Sequence, residues 1–141
     1  VWDEYVEGHD QPVRCKARLD KVAITERAIV DLKKCQDVLR FSKDIANRKY
    51  YRQMAFYQRG WAALHDGELF TPWLVPHEAV RPICVLAAPL DEVALLEGNE
   101  QIEKWLKLYA ECRFTGRWDG PPNPVAFSIP DWEVTPVSMQ A

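Results

Sequence analysis

Two aspartates and a lysine stand where charge is least expected in this chain. Asp31 and Lys33 interrupt the run Ala28-Ile29-Val30-Asp31-Leu32, which otherwise has the composition of a buried strand. Charge there is costly unless something compensates it. Asp20 lies eleven residues upstream, at the end of Arg18-Leu19-Asp20. Carboxylates in such places suit a hard divalent cation, which takes oxygen ligands and keeps several waters. Beside a phosphodiester, such an ion neutralises phosphate charge and activates a water, and a neighbouring lysine can orient that water or lower its pKa. Asp20 would be the central ligand and Asp31 the second, with the Leu32 carbonyl completing the shell. Lys33, two residues on from Asp31, shares its face of the strand. The cation is read as Mg²⁺, with Mn²⁺ as its substitute. The competing reading is an ion pair of Asp20 or Asp31 with Arg18 or Lys33, and D-x-K alone does not choose between them.

The elements that would position these groups are a hairpin and a helix. Gln11 to Ala23 reads as one long strand, with Val13, Cys15, Ala17 and Leu19 on one face and Arg14, Lys16, Arg18, Asp20 and Val22 on the other. Thr25-Glu26 forms the tip, and Ala28 to Lys33 returns antiparallel. A turn centred on that pair sets Val22 against Ile29, Asp20 against Asp31 and Arg18 against Lys33. Like charges opposed in this way destabilise a sheet, and a shared cation removes the conflict. Lys49 to His65 is the strongest helical pattern, with Tyr50, Gln53, Met54, Tyr57, Trp61 and Leu64 at three- and four-residue spacing. Gln53 and Tyr57 lie one turn apart and can point at one spot; alternatively, Tyr57 belongs to the core stripe and Gln53 to its edge.

The other elements follow more briefly. Val1 to Val6 is a short strand, and Gln36 to Asn47 is a short helix using Val38, Leu39, Phe41 and Ile45. Strands are expected at Phe70 to Val75 and Ile83 to Ala87. A helical stretch opening at Leu90-Asp91 breaks at Gly98, and Asn99 caps a second part with the stripe Ile102, Trp105, Leu106, Tyr109 and Cys112. Residues 117–141, rich in proline and glycine, read as an extended tail pinned by Trp118, Phe127 and Trp132. Together these make an α/β fold with a mixed sheet flanked by helices, a single domain over residues 1–141.

Charge is segregated along the chain. The net charge is −3, yet Lys33 to Arg59 carries eight basic residues against Asp37 and Asp44, so everything else is strongly acidic. One phosphate-tracking face on an otherwise acidic exterior would give this distribution, as would a solvated basic helix face. Arg52 and Arg59, off the helical stripe, are the foremost candidates for backbone phosphates, joined by Arg18, Lys34, Arg48 and Lys49. Cys15, Cys35, Cys84 and Cys112 form no CxxC pair and read as reduced thiols of a cytoplasmic protein. No window has the roughly 18 uninterrupted apolar residues of a membrane span. The start at Val1, with no signal-peptide pattern, reads as a piece processed or cut from something longer.

In this order, RLD, IVDLK and YYRQMAFYQ resemble the PD-(D/E)xK nuclease superfamily, most of all its RecE/RecB-like exonuclease branch. The ending, ECRFTGRWDG followed by SIPDW, resembles the phage-associated members, so the resemblance spans roughly residues 11 to 132. It implies a restriction-endonuclease-like core in which Asp20 and Asp31 bind metal, Lys33 is the catalytic lysine, and Gln53 and Tyr57 belong to the active-site helix. The implied activity is Mg²⁺-dependent degradation of linear duplex DNA from an end, in recombination or phage DNA processing. Implied partners are DNA, further copies in a ring-shaped homo-oligomer and a recombination protein. The family usually adds an acidic residue, often with a histidine, on a helix before the first strands. Glu4 and His9 do not match that motif, so the expectation is a domain lacking that helix. The alternatives are an inactive, nuclease-derived DNA-binding or assembly module, and a structural interaction domain.

Overall fold

The computed structural model describes residues 1–120. Its elements are β1 (Trp2–Glu4), β2 (Val13–Cys15), β3 (Lys21–Ala23), β4 (Ala28–Cys35), a 3-10 turn (Val38–Arg40), α1 (Phe41–Arg48), α2 (Tyr50–Leu64), β5 (Thr71–Glu78), β6 (Ala88–Pro89) and α3 (Glu92–Thr115). β1 and β2 form a small antiparallel pair, and β3-β4-β5-β6 form a mixed sheet in which β4 and β5 run parallel. A parallel pair needs a long crossover, and α1 with α2 supplies it. The mixed sheet with packed helices is the restriction-endonuclease-like architecture expected from the sequence.

α2 is the hub of the packing. Met54 and Ala55 are both sealed from solvent, and they face different cores. Met54 joins Ile29, Phe41, Phe70 and Leu74 beneath the mixed sheet. Ala55 joins Trp2, Val13, Cys15, Ile102 and Leu106 between the small β-pair and α3. Burying a side chain the size of Ile29 or Met54 contributes roughly 1.5–3 kcal/mol.

The hairpin keeps its expected register, with Val22 opposite Ile29 and Lys21 opposite Val30. Arg27, in the left-handed region at φ 50°, closes the turn by donating its backbone N–H to the Ile24 carbonyl. The long strand expected over Gln11 to Ala23 is broken, however. Val13–Cys15 pairs with β1 and Lys21–Ala23 with β4, because the first stretch buries Val13 and Cys15 in the α2–α3 core and the second serves the sheet core. The chain crosses between them at residues 16–20. Arg18 therefore lies exposed outside the sheet and does not oppose Lys33.

Further along, Leu39 is exposed rather than part of a helical stripe, and Val38 and Phe41 carry the packing there. The strand expected at Ile83 to Ala87 is displaced to Ala88–Pro89, preceded by a single bridge between His77 and Val85. Gly98 does not break α3. The helix runs through it, capped at Asp91, whose side chain accepts from the Ala94 N–H. A Cβ at Gly98 would lie 2.8 Å from the Ala55 Cβ and 2.9 Å from the Tyr51 carbonyl oxygen. The glycine is there because α2 and α3 touch backbone to backbone. The buried stripe of α3 is accordingly Gly98, Ile102, Leu106 and Ala110, and Trp105 and Tyr109 turn partly to solvent. Of the expected tail, residues 121–141, including Phe127 and Trp132, lie outside the described residues; Trp118 is exposed and packs edge-on to Tyr109.

Candidate active site

β4 and α2 bring together the residues singled out by type. The alternation of β4 turns Ile29, Asp31 and Lys33 toward α2. Asp31 is 2% exposed. Its Oδ1 accepts from the Gln53 amide Nε2 at 3.2 Å. The same amide group donates to the Tyr57 hydroxyl at 2.7 Å, and Gln53 Oε1 accepts from Lys33 Nζ at 3.0 Å. The Lys33 ammonium also forms an ion pair with Asp31 Oδ2. Among the described residues this ammonium is the one partner of Oδ2, which is buried and has no other hydrogen-bond donor. Gln53 thus has its amide orientation fixed: nitrogen toward two acceptors, oxygen toward a cation.

Asp20 sits one step beyond the paired part of β3, in line with Asp31 by the hairpin register. Its Oδ2 accepts from the Leu32 N–H at 3.0 Å, while the Leu32 side chain points to the other, exposed face of the sheet. The electrostatics follow from this packing. Burial pushes the Asp31 carboxyl above its ordinary range, Lys33 opposes that shift, and the Asp20 charge adds to it. The aromatic ring of Tyr50 lies 4.6 Å from Lys33 Nζ. Counted by periodicity, Tyr50 was one more apolar position of α2. Its place three residues before Gln53, on the same helix face, was the available signal.

The basic residues fare differently. Arg59 donates through Nε to Glu4 at 2.6 Å and is ion-paired to Glu103, and these carboxylates hold its guanidinium charged. Glu4 also accepts from Trp2 Nε1 at 2.7 Å. Arg59 thus ties β1, α2 and α3 together, an occupation that its place off the helical stripe does not announce. Arg52 is half-buried between the rings of Tyr51 and Trp105. Arg48 pairs loosely with Asp44 on the α1 surface. Lys34 and Lys49 are exposed and, like Arg18, have no carboxylate within ion-pair distance among the described residues. Lys49 occupies the left-handed junction of α1 and α2, at φ 57°.

Residues 3–122 match the PDDEXK-like domain of unknown function (DUF3799). The chain belongs to this PDDEXK-like family. A crystal structure of a Eubacterium rectale protein named "Putative exonuclease" superposes with a TM-score of 0.52 at 19% identity, covering 65% of this chain and 37% of that one. At that identity the likeness is one of fold, and this chain spans little more than a third of its length. No curated protein matches. Membership of the PDDEXK-like family places the two-carboxylate-and-lysine cluster on a nuclease-type fold. The fit to a divalent cation rests on the donor set of the cluster itself: a buried carboxylate oxygen whose one partner among the described residues is the Lys33 ammonium, and a second carboxylate close enough to raise the pKa of the first. Mg²⁺ is commonly held by one or two carboxylates with waters, so these residues fit it. No group of three or more His, Cys, Asp or Glu able to hold a metal occurs among the described residues. Nor, among them, is any helix long and apolar enough to cross a membrane.

Proposed function

We propose that this chain is a Mg²⁺-dependent deoxyribonuclease domain of the RecE/RecB-like type that hydrolyses linear duplex DNA from an end. The observation that carries the proposal is the closed network of Asp31, Lys33, Gln53 and Tyr57, built around a buried carboxylate held by Lys33 and Gln53.

Asp20, Asp31 and the Leu32 carbonyl would hold the ion. When bound, it supplies positive charge to the scissile phosphate and lowers the pKa of a water. The chain's own residues do the rest. Lys33, held by Gln53 Oε1 and Asp31, presents its one remaining Nζ proton to the attacking water. Gln53 keeps Asp31 and Lys33 in register, and Tyr57 anchors Gln53. Lys34, Lys49, Arg18 and Arg48 contact backbone phosphates from the surface. Arg52, stacked between Tyr51 and Trp105 with no carboxylate partner among the described residues, is a further contact, whereas Arg59, paired with Glu4 and Glu103, is not part of that surface. The same reading extends to work in the cytoplasm of a bacterial or phage-infected cell, in a ring of copies, beside a recombination protein.

Digestion of end-labelled linear duplex with Mg²⁺ tests the proposal. Asp31→Ala and Lys33→Ala are expected to lower kcat by about 10²–10³ or more, the usual cost of removing one preorganised charge, while keeping the far-UV circular dichroism of the wild type. Undiminished digestion by both variants would sink the assignment. Mg²⁺ at 100 times its Kd is further expected to stabilise the wild type by about 2.7 kcal/mol and Asp31→Ala hardly at all.

A second reading, a DNA-binding module that has lost metal chemistry, draws on Glu4, the acidic side chain of β1, being engaged by Trp2 and Arg59 rather than joining Asp20 and Asp31. Binding to duplex DNA without cleavage in either Mg²⁺ or Mn²⁺ would establish it. Failure to bind DNA even at low salt, where phosphate contacts are strongest, would leave an interaction domain.

A further inference from the structure

Lys33 is held on three sides. Asp31 and Gln53 take its protons, and the third wall is the face of Tyr50, whose ring centre is 4.6 Å from Nζ. The lysine side chain is only 15% exposed, so this is a largely desolvated contact, the setting in which an ammonium is attracted most strongly to an aromatic face. Tyr50 is itself fixed. It opens α2 directly after the left-handed Lys49, and its ring stacks on that of Phe41, centroids 5.9 Å apart, with Phe41 buried in the sheet core. The backing of the ring therefore runs from the site into the core. A lysine on a flexible four-carbon stem has many rotamers, and hydrogen bonds alone leave Nζ free to swing about the Asp31–Gln53 edge.

We infer that Tyr50 is a positioning residue: the face of its ring, rather than its hydroxyl, confines the Lys33 ammonium to the corner made by Asp31 and Gln53. The functional part of this inference rests on the nuclease reading, and its structural part does not.

Two measurements separate them. The first is the ¹H–¹³C spectrum of the wild-type lysine ε-methylene groups, with Lys33 assigned by its loss in Lys33→Arg. Ring current is expected to move the Lys33 ε-protons upfield of every other lysine, in Tyr50→Phe as in the wild type, and the shift is expected to vanish in Tyr50→Leu. This readout needs no activity, and the wild-type spectrum decides even where Tyr50→Leu does not fold. The second is digestion of linear duplex DNA. Tyr50→Phe is expected to stay within about twofold of wild type, and Tyr50→Leu to lose about tenfold in kcat with KM for DNA unchanged, the pattern of a misplaced catalytic group.

An unshifted Lys33 in the wild type overturns the inference. Equal loss in Tyr50→Phe and Tyr50→Leu overturns it too, because the hydroxyl would then be the active part. If the wild type does not cut DNA but the Lys33 shift is present and ring-dependent, the nuclease reading fails and the positioning by Tyr50 stands.

Discussion

Asp31 is a carboxylate that burial works against. Its native pKa lies above the ordinary 3.8, chiefly through desolvation, so between those two values the native state holds a proton that the unfolded chain has released. Stability from this group is complete below the ordinary value and is lost as pH rises through the native one. In chelator, the urea-unfolding free energy of the wild type is therefore expected to fall relative to Asp31→Asn as pH rises from about 3 toward about 7; a pH-independent difference would contradict the assignment. The oddity of this residue was legible in the sequence because a charge inside Ala-Ile-Val-x-Leu violates strand patterning. Lys33, Gln53 and Tyr57 were legible by periods of two and four. Tyr50 was not, since an aromatic at helical spacing is ordinary core material until its neighbour is known to be a buried ammonium.

At the level of elements, the site depends on how α2 is clamped between two cores, and the clamp is tightest where α3 crosses it. Gly98→Ala gains about 1 kcal/mol of helix propensity. Its methyl would nevertheless meet the backbone oxygen of Tyr51 at 2.9 Å, an atom that no rotamer change can remove. Overpacking of this kind costs about 1–3 kcal/mol, and a net loss of stability by urea titration is the expected result. A gain in stability would show that the crossing is looser than described. From the sequence Gly98 reads as a helix breaker, the ordinary meaning of a lone glycine. Its actual role is set by Tyr51 and Ala55, more than 40 residues earlier in the chain. The strand break before Lys21 was equally hidden: alternation runs on through residues 13–22, and only the presence of two cores decides that the strand must divide. The register next to the turn, Val22 against Ile29, was readable because the turn is local, whereas the expected pairing of Arg18 with Lys33 was lost to the strand break.

Across the whole molecule, the basic segment Lys33 to Arg59 is less uniform than its charge count suggests. Lys34 and Lys49 face solvent, whereas Arg59 is spent on Glu4 and Glu103. Counterion release turns this into a measurement: each phosphate contact contributes about 0.9 to the slope of log binding constant against log salt. The double variant Lys34→Ala/Lys49→Ala is expected to reduce that slope by close to two contacts. Arg59→Ala is expected to leave the slope unchanged and to lower stability by loosening β1 from α2 and α3. A slope reduced by Arg59→Ala alone would return that arginine to the DNA surface. Charge counting could not tell that Arg59 folds inward, because its partners Glu4 and Glu103 lie far from it along the chain.

The two cores also carry a chemical label each. Cys15 lies in the core shared by the β-pair and α3, Cys35 in the core beneath the mixed sheet, and burial raises both thiols above their ordinary pKa, so neither reacts until its own core opens. Cys84 is exposed, so although the Glu78 carboxylate raises its thiol as well, it reacts without any core opening and serves as the internal clock. Pulsed alkylation read by mass spectrometry thus reports two opening rates from one unmodified polypeptide. Equal rates would mean that α2 joins the cores into one cooperative unit. If Cys15 opens first, the β1–β2 flap and α3 can peel away while the cradle of Asp31 and Lys33 stays closed.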